Sequence, residues 1–335
     1  MSSEAQWYRI TKNESLQCTL CPHECIINDG KAGICRVRKN KAGQLQTDVY
    51  GIVSALNLDP IEKKPLYHFH PGSTILSIGS FGCNLRCTFC QNSSISQTVP
   101  GEDFRRKHYT PGQLVALALQ KPDNIGIAFT YNEPIVWFEY MIDIAVKAKA
   151  AGLKTVMVTN GYINPEPLSE LIKVIDAFSV DLKAFNEEFY ARVTSSGLEP
   201  IKSALRQISN SGKHLEIVNL LVPGLNDDED TFTSMIHWIA EELGKETVFH
   251  ISRYFPNHKL TTEATPYALI RKMESIAREK LLWVYTGNMH NEKNDTHCKH
   301  CNNVLITRYL YNVQKPGLNE SGQCNSCGNY FLKKT

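Results

Sequence analysis

The sequence carries almost no net charge: 36 lysines and arginines face 34 aspartates and glutamates, a formal balance of +2 over 335 residues. So even a balance gives no chain-wide field for drawing in a nucleic acid or an anionic membrane, and any such partner must be recognised locally. No uninterrupted apolar run approaches the ~20 residues of a membrane span. The polar start from Met1 to Ser15 also lacks the apolar stretch of a signal peptide. A cytoplasmic location without a membrane partner is therefore expected. Low-complexity stretches are missing too, and 42% hydrophobic with 21% charged residues is the composition of a chain that folds. The length allows about two ordinary domains, or one α/β barrel with additions.

What the sequence does have is cysteine, eleven in all. An odd count suits a disulfide framework badly, and in a reducing compartment clustered thiols more often mean metal or redox chemistry. The spacing separates them into Cys18, Cys21, Cys25 and Cys35, then Cys83, Cys87 and Cys90, then Cys298, Cys301, Cys324 and Cys327. None is left over. Cysteines used only as small buried hydrophobes would be scattered along the elements, so this partition points to three metal sites.

The central group lies in Gly82-Cys83-Asn84-Leu85-Arg86-Cys87-Thr88-Phe89-Cys90-Gln91-Asn92, directly after a strand expected at Thr74–Ser80. Iron–sulfur clusters are commonly held by four thiolates, so three leave one iron open to another ligand. The loop resembles the C-x3-C-x-aromatic-C motif of the radical S-adenosylmethionine (SAM) superfamily, with Phe89 at the aromatic position. That resemblance implies Cys83, Cys87 and Cys90 as the catalytic residues. They would hold a [4Fe-4S] cluster whose open iron is chelated by the amino and carboxylate groups of SAM.

The resemblance continues downstream. Phe129-Thr130-Tyr131-Asn132-Glu133-Pro134 stands where this superfamily has a Gly-Gly-Glu-Pro-like segment for the SAM amino group, with Tyr131 and Asn132 in place of the glycines. Strands ending Thr159-Asn160-Gly161 and Asp181-Leu182-Lys183 match SAM-contacting positions. The implied cofactor-binding residues are Phe89, Asn132, Glu133, Thr159, Asn160, Asp181 and Lys183. His250, on the last convincing strand, joins them as a candidate.

Short β-branched runs alternate with amphipathic stretches from Thr74 to about Asn288, the pattern of βα units around a parallel sheet. Strands are expected at Thr74–Ser80, Gly126–Thr130, Thr155–Thr159, Phe178–Lys183, Leu215–Val222, Phe249–Tyr254 and Leu282–Tyr285. Helices are expected at Pro111–Gln120, Val136–Ala150, Ile201–Ser209, Asp230–Glu242 and Pro266–Glu279, with Thr110, Asp228 and Thr265 near their N-termini. The expected fold is α/β: a partial (β/α)6 radical SAM barrel over residues 73–290. A cysteine-rich segment at 1–72 precedes it, and a zinc-ribbon-like module at 291–335 follows.

The first four cysteines have C-x2-C-x3-C-x9-C spacing, which can close the coordination of zinc or of an additional iron–sulfur cluster, with His23 able to replace one ligand. The last four, two C-x2-C pairs, resemble a zinc ribbon and imply structural Zn2+. Five basic residues against Glu320 in residues 298–335 permit RNA contact there, as they permit docking.

With the segment Asp59-Pro60-Ile61-Glu62-Lys63-Lys64-Pro65-Leu66-Tyr67-His68-Phe69, these features resemble the AmmeMemoRadiSam-system radical SAM enzymes, relatives of the pyruvate formate-lyase and other glycyl-radical-enzyme activases. The resemblance implies reductive cleavage of SAM to methionine and a 5′-deoxyadenosyl radical that abstracts hydrogen from a substrate. A partner protein is one substrate class; RNA or a small metabolite are others. Accessory proteins of the Memo and AMMECR families and a low-potential electron donor are implied as partners. A metal-bound interaction or RNA-binding protein is the non-enzymatic alternative. An open three-cysteine iron site is unnecessary for such a scaffold, so catalysis is favoured.

Overall fold

The computed structural model describes residues 3–11, 15–105, 107–290 and 293–331, so Lys333 and Lys334 of the C-terminal basic set lie outside the described residues. Eight strands form one sheet: β1 (Ala55–Pro60), β2 (Thr74–Gly79), β3 (Asn124–Phe129), β4 (Lys154–Thr159), β5 (Ala177–Asp181), β6 (His214–Leu221), β7 (Val248–Arg253) and β8 (Val284–Gly287). They lie side by side in chain order. From β2 to β8 every neighbouring pair is parallel. Among the described residues, six α-helices of nine residues or more connect the parallel strands: α1 (Pro111–Leu119), α2 (Phe138–Ala150), α3 (Pro165–Val174), α4 (Leu198–Asn210), α5 (Glu229–Trp238) and α6 (Tyr267–Arg278). Six βα units are thus present, extended by β8 and by β1. The latter pairs antiparallel with β2, so the sheet begins before residue 73.

Helix α1 starts on a capping box, in which Thr110 Oγ1 accepts from Gln113 N at 3.2 Å and Thr110 N donates to Gln113 Oε1 at 2.8 Å. Asp228 caps α5 by accepting from Thr231 N at 2.9 Å. Thr265 stands beside the start of α6, as expected, without capping it. Pro266 occupies the N-cap position of α6. Thr265 Oγ1 instead accepts from Tyr254 N at 3.0 Å and donates to Leu221 O at 2.6 Å, tying the ends of β6 and β7 together. Among the described residues, no helix is long and apolar enough to cross a membrane.

Alternation along the strands sends Phe129, Met157, Phe178, Ile217 and Phe249 into the main apolar core. Ile75, Ala128, Val156 and Ala177 face the other way and pack with Ile61, Leu66 and Phe69. Because Pro60 pairs with Thr74 at the start of β2, the segment 61–73 fills the N-terminal end of the parallel strands. Glu216 anchors this plug. Wholly buried, its carboxylate accepts from Tyr67 N (2.9 Å) and His68 N (2.8 Å), with His214 Nε2 (2.8 Å) and His250 Nε2 (2.6 Å) on opposite oxygens. Burial alone would raise its pKa, but the bonds from the two histidines hold it well below the usual carboxylate range.

The described residues ahead of β1 add two small antiparallel sheets, and the C-terminal module is a third, built from Thr296–His297, Val304–Tyr309 and Asn312–Gln314. Arg308 docks this module on the plug: its guanidinium lies 4.6 Å from the Tyr67 ring centroid and donates to the Tyr67 carbonyl. Glu216→Ala leaves two buried amides unpaired and is expected to lower stability by about 3 kcal/mol in urea unfolding. A loss under about 1 kcal/mol contradicts the anchoring role.

Candidate active site

The cysteine loop leaves the C-terminal end of β2, and the ends of β3, β4 and β5 gather around it. Cys87 is buried, while Cys83 and Cys90 are half-buried. Burial pushes the Cys87 thiol up to about 11, with the Lys183 ammonium pulling the other way. Phe89 is buried and lies 6.3 Å from Phe189, ring centroid to centroid. No sulfur is spent on a disulfide, and three thiols on one loop are the donor set that an iron–sulfur cluster with one open iron needs.

Glu133 follows β3 and sits at the centre. Its Oε1 accepts from Thr159 Oγ1 at 2.7 Å and Ile135 N at 3.2 Å, and its Oε2 accepts from Asn160 N at 2.8 Å. The carboxylate therefore locks the ends of β3 and β4 together and keeps acceptor capacity on Oε2 for a cationic ligand. Asn160 carries the link onward: its Nδ2 donates to Asn84 Oδ1 at 2.9 Å and lies 3.8 Å from Cys83 Sγ. Asn84 Nδ2 in turn donates to Tyr162 O at 2.7 Å.

The two residues that replace glycines have clear structural reasons. Tyr131 adopts φ +69°, a left-handed backbone that favours glycine. Gly79 makes room for it, since a Cβ there would lie 3.0 Å from Tyr131 Cβ. The Tyr131 hydroxyl donates to Asp59, which carries the side chain away from the site. Asn132 accepts from Ser80 N at 2.8 Å and donates to Gly82 O at 2.9 Å, pinning the start of the cysteine loop. It acts here as a brace.

Asp181 and Lys183 form an ion pair at 2.6 Å beside Cys87. Burial works against the Lys183 ammonium, yet Asp181 and Cys87 hold its pKa above the ordinary value. His250 lies apart from this group, in the plug with Glu216 and in edge contact with Tyr67 at 4.7 Å. Its alternation along β7 carried no information about which end of the sheet it serves. Asn84 and Glu216 escaped the sequence reading. The first is signalled only by its place inside the cysteine motif, and the second by a lone acid in an apolar strand.

The family model of the radical SAM superfamily matches residues 77–236. Over 329 residues the chain is 39% identical to the uncharacterized protein MJ0808 of Methanocaldococcus jannaschii, with 97% of each chain covered. The pyruvate formate-lyase-activating enzyme of Clostridium pasteurianum is 25% identical over 167 residues, covering 50% of this chain and 70% of that one. Residues 77–236 form a domain of the radical SAM superfamily. A solved radical SAM methyltransferase from Sphaerobacter thermophilus shares the fold, with a TM-score of 0.52 at 16% identity over 65% of this chain and 67% of that one. Superfamily membership implies a [4Fe-4S] cluster and SAM, and the donor set on the Gly82–Asn92 loop fits that cluster.

The other two cysteine groups are also gathered in space. The sulfurs of Cys298, Cys301, Cys324 and Cys327 lie within 4.8 Å of one another, close enough to hold one metal ion. Cys18, Cys21, Cys25 and Cys35 line one small cavity that also touches Asn84 of the Cys83–Cys90 loop.

Burial raises the Glu133 carboxyl from 4.5 to about 7, outweighing its hydrogen bonds. Between those values the folded chain keeps a proton that the unfolded chain has lost, so this group makes stability fall as pH rises across that window. Glu133→Gln should therefore show a smaller drop in Tm from pH 5 to pH 8 than the wild type. An equal drop contradicts the buried, proton-holding carboxyl.

Proposed function

We propose that this chain cleaves SAM reductively and uses the resulting 5′-deoxyadenosyl radical to abstract hydrogen from a protein or peptide. The observation that carries the proposal is the hydrogen-bonded chain Glu133–Asn160–Asn84, which sets the ends of β3 and β4 against the three-cysteine loop. Cys83, Cys87 and Cys90 would hold the [4Fe-4S] cluster, whose bound form supplies one electron to the sulfonium of SAM. Glu133 Oε2 is the acceptor offered to the SAM ammonium. Thr159 and Asn160 keep that carboxylate oriented, and the Asp181–Lys183 pair sets the charge beside Cys87. The buried walls contributed by Phe89 and Asn132 exclude water from the reacting atoms.

A protein substrate is favoured by the likeness to a pyruvate formate-lyase-activating enzyme. The resemblance drawn from the sequence extends the proposal to accessory proteins of the Memo and AMMECR families, a low-potential electron donor and a cytoplasmic location. The C-terminal four cysteines, at single-ion spacing, suit structural Zn2+ in a ribbon that follows a barrel and a cysteine-rich N-terminal segment.

The test is 5′-deoxyadenosine formation by anaerobically reconstituted protein with SAM and dithionite. Cys87→Ala should lower it by roughly 100-fold or more, whereas Cys301→Ala should retain it in folded protein. Undiminished product from folded Cys87→Ala rejects the proposal.

A further inference from the structure

Cys18, Cys21, Cys25 and Cys35 close on one cavity because their segment folds back on itself. Cys18 N donates to Cys25 O at 3.0 Å, Glu24 N donates to Cys21 O at 3.0 Å, and Ile34 N approaches Cys25 Sγ at 3.5 Å. Apolar side chains, including Ile135 and Val136 just beyond Glu133, complete the lining.

The spacing of the sulfurs tells what the cavity suits. In the C-terminal module four sulfurs sit within 4.8 Å of one another, whereas among the described residues no three of the N-terminal four do. A single tetrahedral ion draws its thiolates close, at metal–sulfur bonds of about 2.3 Å. Thiolates ringed more widely around a cavity suit a polynuclear cluster, in which different irons take different sulfurs.

Arg38 adds an independent sign. It lines the same cavity, is 1% exposed, and its Nε has no hydrogen-bond partner. Its other nitrogens are used on Glu139, at 2.9 and 3.0 Å, and on Gln6 O. A buried N–H left unpaired is costly, and the sulfur of an anionic cluster supplies both an acceptor and a countercharge.

The cavity also touches the catalytic loop. Asn84, the chain neighbour of Cys83, forms part of its wall. His23 Nε2 lies 2.7 Å from Asn84 O, and Arg86 donates to the carbonyl of Ile34. At Gly82, with φ +87°, a Cβ would meet Cys35 O at 2.8 Å, so the two cysteine segments are packed directly against each other.

We propose that Cys18, Cys21, Cys25 and Cys35 hold a second iron–sulfur cluster that relays electrons to the catalytic one. The inference rests on the proposed function above. One electron enters from a low-potential one-electron donor protein, passes from the N-terminal set to the Cys83–Cys90 set, and ends on the SAM sulfonium as one carbon–sulfur bond breaks. No proton moves in the relay.

The test uses the full chain reconstituted anaerobically with iron and sulfide. If both sets carry [4Fe-4S] clusters, it should contain about eight irons and eight sulfides per chain, with about one zinc, and show two reduced-cluster signals in electron paramagnetic resonance. A Cys83→Ala/Cys87→Ala/Cys90→Ala variant should lose one signal and keep the other, along with roughly half of the iron. After reduction with dithionite and removal of the excess, SAM should oxidise both clusters and yield about two 5′-deoxyadenosines per chain, not one. Zinc in the N-terminal set, or a triple variant that folds without iron, overturns the second cluster while leaving SAM cleavage intact. Oxidation of the catalytic cluster alone overturns the relay. Failure to cleave SAM with both sets of iron present removes the relay together with the catalytic reading.

Discussion

A single buried carboxylate holds the active end of this molecule together. Glu133 accepts from a side chain and from two backbone amides, and these donors come from two segments that only the fold brings together. Burying a carboxylate is costly unless its oxygens are satisfied, so the ends of β3 and β4 cannot drift without exposing that cost. Asn160 and Asn84 pass the constraint to the cysteine loop, and Asn132 holds the same end of the loop at Gly82. On the function proposed above, this network would set the place where an open iron could meet a cationic ligand.

The two ends of the sheet carry different burdens. At the C-terminal ends of the strands the polar groups face a loop of thiols and leave acceptor capacity unused. At the N-terminal ends Glu216 is saturated by Tyr67, His68, His214 and His250. Arg308 then clamps the C-terminal module over the same plug. The module therefore buttresses the barrel from the end away from the cysteine loop.

The superfamily was legible because its cysteine motif is local. Cys83, Cys87 and Cys90 lie within eight residues, Thr159 and Asp181 end strands that β-branched periodicity reveals, and Glu133 follows another by four residues. What stayed hidden depends on contacts distant in the chain. The strand β1 is partly exposed and carries Asn57, Asp59 and Pro60, which strands disfavour, so only its pairing with β2 marks it. Asn84 acquires its role from Asn160, 76 residues away, and Glu216 from Tyr67, 149 residues away. Helix α3 carries prolines at Pro165 and Pro167 that punctuate its start, and the apolar face behind them is short. Thr265 has the side chain of a helix cap but bridges two strand ends, because Pro266 takes the cap position.

The central claim is that the open iron of the Cys83–Cys90 site is chelated by SAM beside Glu133. Electron–nuclear double resonance on the reduced protein, with SAM labelled with nitrogen-15 at its amino group, tests it most directly. The account predicts a hyperfine coupling between that nitrogen and the catalytic cluster, and its loss in the Cys87→Ala variant. A loaded, reduced cluster that binds SAM without any such coupling would contradict it.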